Sequence, residues 1–500
     1  MPRAPRKRNP LRVLWPIILL VAAGGIVWVL CRTPSPPDRG VAPSDDVFSL
    51  EGKQRPDAVF LVVVDTLRAD RLSCYGYETH ATPNIDRLAD FGLRFTRAQT
   101  VASWTRPSMG SMLTSLYPRQ LGLLERPVPG RRFAWREKRG QLSVRIPPHA
   151  QTAAEAFHAA GFRTAAFVNQ PALNASSTFA RGFLDYYYPL TQDEIRLFCP
   201  GKRDHRLQDW KTLTHADISD GMLVRQCARW LEQHGKQRLF VWLHMLTPHV
   251  PYQPPAEFAP PAPEGGGKPA PSDLYDGEVR AVDAMIGELV AAIEQHVGLE
   301  RSLIVFTSDH GEEFGDHGYF GHGHSLHQEV TRVPLILASP RILPARVIDE
   351  DVRILDIVPT IIDFAGLSGA ATAAFEGVSL TSSVVGRTPD LPVYCEGMLY
   401  GNTQRCLTDD GFKLLFDEAE SNVRLFDVQT DPLEREDLVS TKPQRVAVMM
   451  DRLNEMRSRL QQDFIAGIRR RPDRTSADEL EQERQRTREA LRSLGYVGDD

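Results

Sequence analysis

Ala58–Val64 reads AVFLVVV, an apolar run with no polar position, and it stops at Asp65. A strand with one wet face alternates apolar and polar residues. A run without alternation needs cover on both faces, as in a sheet sandwiched between helices. Further apolar runs occur at 162–168 (FRTAAFV), 238–245 (RLFVWLHM), 303–307 (LIVFT) and 333–338 (VPLILA). Helical periodicity lies between them at 82–90, 150–160, 220–234 and 276–296. Buried strands alternating with helices predict an α/β fold with a large, mostly parallel sheet flanked by helices. Ligands bind such sheets beyond the carboxyl ends of the strands. Asp65, His249 and the pair Asp309-His310 all follow the ends of these runs.

The stretch 103–114, SWTRPSMGSMLT, reads as a loop entering a helix, with Pro107 suited to the first turn. Thr105 and Ser108 would then stand beside unpaired backbone N–H groups at the positive end of the helix dipole, where an anion is favoured. An ordinary helix cap has the same signature. Likewise, a strand-end aspartate such as Asp65 is by itself ordinarily a turn or cap residue. The run 309–313 (DHGEE) is harder to explain structurally, because it concentrates charge after a buried strand. Asp65, Thr105, Asp309 and His310 together would make a mixed oxygen/nitrogen site for a divalent metal. That donor set suits Zn²⁺ or Mn²⁺ better than Ca²⁺, with Mg²⁺ also open. The segment 316–327, DHGYFGHGHSLH, places four histidines among glycines. It reads either as a surface metal scavenger or as a loop closing over an anion, one imidazole protonating a leaving group. His249 lies in PHVPY, where prolines fix the backbone around it.

The ends of the chain differ from this middle. Arg3, Arg6, Lys7, Arg8 and Arg12 precede an uncharged run at 13–31. As a helix that run would extend roughly 28 Å, the thickness of a bilayer's hydrocarbon. Basic residues before it predict a single-pass signal anchor: residues 1–12 in the cytoplasm and the catalytic domain outside, in a bacterial periplasm or at the cell surface. Ala22-Ala23-Gly24 could be a cleavage site and Cys31 a lipidated cysteine, but the apolar run continues past the first and Leu30 precedes the second. Residues 32–56 are rich in Pro and charge and read as a linker. The expected catalytic domain is 57–385. A small antiparallel sheet follows at 386–440, with a turn at Asp409-Asp410-Gly411, and a charged helical tail at 441–500. A net charge of −5 with no basic excess gives no argument for nucleic acid. Six cysteines without a CxxC exclude a thiolate zinc site, and leave Cys395/Cys406 and Cys199/Cys227 as candidate disulfides or as free thiols.

Several motifs in consistent order carry a resemblance. VVVDTLRADRLSCYGY (62–77), ATPNIDRLADFGLRFTRAQT (81–100), SWTRPSMGSMLTSLYP (103–118), TPHVPY (247–252), TSDHGEEFGDHG (307–318), GHGHSLHQEVTRVPLIL (321–337) and LFDVQTDPLEREDL (425–438) together resemble the sulfatase family of the alkaline phosphatase superfamily. The resemblance covers roughly residues 57–440, and the closing LRSLGYVG (491–498) shares it. It implies a metal held by Asp65, Asp309 and His310, with the nucleophile as a further ligand. It also implies that His249 and one or both of His322 and His324 contact the bound ester group.

Two departures from the family pattern matter. Thr66 stands where the family has the second residue of an Asp-Asp pair. Thr105 stands where sulfatases proper carry the Cys or Ser that becomes formylglycine, and Met109 replaces the arginine read by the converting enzyme. Threonine cannot become that aldehyde, so its own hydroxyl must attack, with its pKa lowered by the metal and the helix terminus. A threonine ester lacks the aldehyde exit that expels sulfate, which favours phosphate or phosphonate esters while leaving sulfate esters open. The expected function is therefore a metal-dependent hydrolase of a small-molecule, glycan or lipid-derived ester. A transferase using the same Thr105 intermediate and a non-catalytic binding protein of the same fold are the alternatives.

Overall fold

The computed structural model describes residues 55–124, 145–173, 178–188, 220–263, 265–367 and 375–469. Ten of its strands lead to the site: β1 (Ala58–Val64), β2 (Gly92–Gln99), β3 (Arg163–Val168), β4 (Asp185–Tyr187), β5 (Leu239–Met245), β6 (Ser302–Ser308), the short β7 (Glu313–Phe314) and β8 (Phe320–Gly321), β9 (Arg332–Ala338) and β10 (Arg346–Arg353). Eight of these form one sheet in the order β10-β2-β9-β6-β1-β5-β3-β4. Its pairings are parallel except those of β9, which runs antiparallel to both β2 and β6. The expected large, mostly parallel sheet is thus present.

β1, β5 and β6 lie at its centre and are buried at every position. Helices α1 (Pro83–Asp90), α4 (Gly221–His234) and α5 (Pro271–His296) cover one face and share a core with Phe60, Val62 and Val64. Helices α2 (Thr105–Thr114), α3 (Ala153–Ala159) and α6 (Ile357–Phe364) complete the chain's main helical complement. Each fully buried Val or Phe in such a core contributes roughly 1.5–3 kcal/mol. α5 starts five residues before the periodicity suggested, because Pro271 is suited to a first helical position.

A separate antiparallel sheet follows: β11 (Val393–Glu396), β12 (Gln404–Asp409), β13 (Phe412–Asp417) and β14 (Asn422–Asp427). Asp410 and Gly411, both at positive φ (51° and 75°), make the two-residue turn between β12 and β13. That geometry is the one hairpins favour and the reason an Asp-Gly step is found there. The helix α7 (Pro443–Arg469) closes the described chain, as the tail composition predicts. Cys395 and Cys406 face each other across β11 and β12 as free thiols, and Cys74 and Cys227 are free as well. Cys199 lies outside the described residues.

Among the described residues no helix is long and apolar enough to cross a membrane. α5 and α7 have the length, but Asp276 and Asp283 interrupt the one, and Asp451, Arg452 and Arg457 the other. This corrects the localisation expected from the N-terminal sequence, a single-pass membrane protein with its catalytic domain outside the cytoplasm. The run 13–31 itself lies outside the described residues.

Candidate active site

β1 and β6 are paired in register, Val64 opposite Ser308, so the residues that follow them, Asp65 and Asp309, leave the sheet side by side. Both are fully buried. Thr66 comes next in left-handed backbone (φ 57°), a conformation costing a β-branched residue roughly 1–3 kcal/mol. It is held there from both sides. Its carbonyl accepts from the Tyr275 hydroxyl at 2.8 Å, and its N–H donates to Asp309 Oδ1 at 3.3 Å. α2 enters with Thr105 as its first residue, and every residue of the helix is buried. Ser108 Oγ donates to the Asp309 carbonyl at 2.6 Å, fastening the helix start to the end of β6.

The atoms at this junction face one another without compensation. Thr105 Oγ1, Asp65 Oδ1 and Asp309 Oδ2 stand 3.3, 3.5 and 3.4 Å from His310 Nε2. His310 Nδ1 donates to the Gly311 carbonyl at 3.0 Å. A carbonyl can only accept, so Nδ1 carries the proton and Nε2 presents a lone pair. Asp65 Oδ1 and Asp309 Oδ2 accept no hydrogen bond from any described residue. Two carboxylate oxygens and an imidazole lone pair converging in a buried space are a donor set that could hold a cation between them. Donors on one divalent ion lie about 3.4 Å apart, whether at about 2.1 Å and tetrahedral angles or at about 2.4 Å and right angles, so the spacings to His310 Nε2 fit a divalent ion. The metal-ligating atoms of Asp65, Asp309 and His310 all lie within 4.8 Å of one another.

Burial, and then the neighbouring charge of Asp309, push the Asp65 carboxyl well above the ordinary carboxylate range; burial raises Asp309 too. Burial holds His310 neutral by lowering it to about 3.

The histidines divide into two groups. His249 follows β5, and the loop before it is anchored by the buried Asp220 carboxylate, which accepts from Leu246 N (3.1 Å), Thr247 N (2.7 Å) and the Asn169 side chain (2.8 Å). His249 Nδ1 donates to the Val250 carbonyl at 2.6 Å. Its ring centre is 5.1 Å from that of His322, which is in turn 4.5 Å from that of His310. His322 is buried, with Nδ1 2.8 Å from Glu312 Oε1. Burial lowers His249 and His322 to about 3 and raises Glu312. The His324 ring stacks on that of Tyr400, 4.5 Å between ring centres, and its charge bears on His322. The left-handed Gly323 (φ 78°) turns the chain between the two histidines.

A second cluster, His317, His327, Glu329 and Glu434, also has the residue types of a metal site. Its geometry is that of an ion-pair knot. The His317 and His327 rings are parallel within 5° and 3.6 Å apart, so their in-plane lone pairs cannot meet at one ion. The cation is already present: Lys413 Nζ lies 2.8 Å from Glu434 Oε1 and donates to Thr331 Oγ1 at 3.0 Å. Glu434 Oε2 pairs with His327 Nδ1 and accepts from Gln328 N at 3.1 Å, and Glu329 Oε1 lies 2.6 Å from His317 Nδ1.

Sequence reasoning brought Asp65, Thr105, Asp309 and His310 to one point, with His249 and His322 beside it. It missed Gln170, whose amide donates to Asp65 Oδ2 at 2.5 Å and so turns Oδ1 inward. It also missed Glu312 as the partner of His322, Asp220 as the anchor of the 246–249 loop, and His244. No local signal marks Gln170 or Asp220, whose partners lie far away in the chain, and Glu312 stood in the 309–313 run without a role of its own. The imidazole at the end of the VWLH run was the one available hint.

Comparisons with known proteins follow this geometry. A family model described as Sulfatase matches residues 57–367, and one described as N-sulphoglucosamine sulphohydrolase, C-terminal, matches residues 315–462. The uncharacterized sulfatase YidJ of Escherichia coli K12 is 25% identical over 441 residues, covering 77% of this chain and 83% of that protein. An N-acetylglucosamine-6-O-sulfatase of Bacteroides thetaiotaomicron is 22% identical, covering 68% and 73%. The crystal structure of the phosphonate monoester hydrolase of Agrobacterium radiobacter superposes with a TM-score of 0.63 at 18% identity, covering 82% and 96%. Sulfatases generally bind a divalent metal ion, and the 65/309/310 cluster supplies candidate groups for one. With the family model spanning more than half of its length, the chain belongs to the sulfatase family and is a hydrolase acting on esters.

Proposed function

We propose that this sulfatase-family hydrolase cleaves phosphate or phosphonate esters through covalent attack by Thr105, at a divalent ion held by Asp65, Asp309, His310 and the Thr105 oxygen. The observation that carries the reading is the 3.3 Å approach of Thr105 Oγ1 to His310 Nε2, beside two buried carboxylate oxygens that accept nothing else. The ion, when bound, supplies the Lewis acidity that lowers the pKa of a hydroxyl beside it and offsets charge on the ester oxygens.

Thr105 Oγ releases its proton to solvent and forms a bond to phosphorus as the bond to the leaving oxygen breaks, and that oxygen takes the electron pair. His322 and Glu312 provide its proton. Burial favours the neutral form of both, so the pair stores one proton: Glu312 can pass it to Nδ1 while Nε2 gives its own to the leaving group. Water then attacks the same phosphorus and gives one proton back to the His322–Glu312 pair, while the Thr105 oxygen departs and takes its proton from solvent. A threonine ester offers no carbonyl collapse that would expel sulfate, which is why phosphorus is the preferred centre. Relatives of both chemistries are consistent with this: sulfatases and phosphonate monoester hydrolases share the fold.

The reading is tested by rates on matched 4-nitrophenyl sulfate, phosphate, diester and phosphonate with the Zn²⁺- or Mn²⁺-loaded protein. It expects the phosphorus esters to turn over fastest and Thr105→Ala to abolish that activity. A sulfate preference that survives Thr105→Ala contradicts it.

A further inference from the structure

His244 is the last residue but one of β5, ahead of the loop of His249, and it is fully buried. Neither of its ring nitrogens has a hydrogen-bond partner among the described residues. An unsatisfied polar group in a protein interior costs about 1–3 kcal/mol, so an imidazole left empty on both edges is a site awaiting something. Its surroundings indicate what. Nε2 points at Asp309 Oδ2 from 3.9 Å, and that oxygen is itself without a hydrogen bond. The gap is too long for a direct hydrogen bond. It suits two donors on one ion: with bonds of about 2.1 Å, atoms 3.9 Å apart subtend a wide angle at the metal.

The sequence explains why this chain has room for another donor. Thr66 occupies the position of the second aspartate, and its Oγ1, also buried, has no partner. A ligand set of Asp65, Asp309, His310 and Thr105 is one carboxylate poorer than a set with an Asp-Asp pair. His244 approaches from the Asp309 side, outside the tight group formed by the other three side chains.

We propose that His244 is a further ligand of the metal centre, its Nε2 joining Asp65, Asp309 and His310 and giving the centre two imidazoles. This rests on the metal-dependent reading above. Exchanging a carboxylate for an imidazole lowers the site's negative charge and shifts its preference from Ca²⁺ toward Zn²⁺.

The test is pulsed electron paramagnetic resonance of the Mn²⁺-loaded full chain, which counts imidazole nitrogens coupled to the ion. The expected count is two, falling to one in His244→Gln. Zn²⁺ affinity, measured by competition with a chromophoric chelator, should fall roughly 10- to 100-fold in the same variant. A wild-type count of one overturns the proposal without recourse to any variant, and so does a count of two that His244→Gln leaves unchanged. Where His244→Gln does not fold, His244→Asn takes its place. A wild-type chain that binds no stoichiometric divalent ion overturns the metal centre itself. An ion bound with one nitrogen removes only His244.

Discussion

Two buried clusters of histidine and carboxylate lie in this molecule, and they are built on opposite principles. In the knot of His317, His327, Glu329, Glu434 and Lys413, each carboxylate meets a cation or an N–H. In the centre of Asp65, Asp309 and His310, acceptors face acceptors. The residue types are nearly the same, so composition does not separate a structural cluster from a functional one. Charge balance does. A folded chain tolerates uncompensated lone pairs in its interior only where something else will compensate them.

That contrast predicts different failures. The largest is catalytic: Thr105→Ala should lower turnover by on the order of 10⁴-fold while leaving the unfolding midpoint near that of wild type, since only a hydroxyl and one methyl group are lost. The next is structural. Glu434→Gln leaves Lys413 buried without its counter-charge, and breaking such a pair costs roughly 3–5 kcal/mol. Urea unfolding should show that loss, while the metal content of the variant that still folds stays at the wild-type value. A stable Glu434→Gln chain with depleted metal would reverse the roles of the two clusters.

The pH response sharpens the same distinction. Against the effect of burial, Lys413 and His327 pull the Glu434 carboxyl from 4.5 down to about 2. A depressed carboxylate contributes stability that is complete above its unfolded pKa and is lost as pH falls through the folded one. The knot should therefore lose roughly 3 kcal/mol between about pH 4.5 and 2. Unfolding free energy followed across that window should be flatter in Glu434→Gln. The smallest effect is expected at the other cluster. Asp309→Asn removes an uncompensated charge, so the metal-free variant should be as stable as metal-free wild type or more so, by about 1 kcal/mol. Its stabilisation by added Zn²⁺, about 2.7 kcal/mol for a ligand at a hundred times its Kd, should vanish.

The sequence was legible where burial was symmetrical. β1, β5 and β6 are covered on both faces, so nothing polar interrupts them and their ends could be read to within a residue. β2 and β10 escaped notice for the converse reason. β10 is an edge strand whose Asp349 and Glu350 are not buried, and β2 carries half-buried Arg94 and Arg97. Both read as polar segments. Asp65, Asp309 and His310 were legible because strand ends on one edge converge by topology. Gln170, Glu312 and His244 were not, because what makes them important is a partner, and Gln170 lies 105 residues from Asp65. His322 and His324 could not be told apart, since the turn at Gly323 breaks the alternation that would have placed them on one face. The N-terminal apolar run led to a localisation that the described helices do not bear out.

The central claim is that the Thr105 oxygen makes the covalent bond. Acid-quenching the metal-loaded protein during turnover of a phenylphosphonate ester, followed by peptide mass mapping, tests it most directly. A phenylphosphonyl adduct on Thr105, absent in Thr105→Ala, is the expected result. An adduct on another residue, or a formylglycine in place of any Cys or Ser near the site, would contradict it.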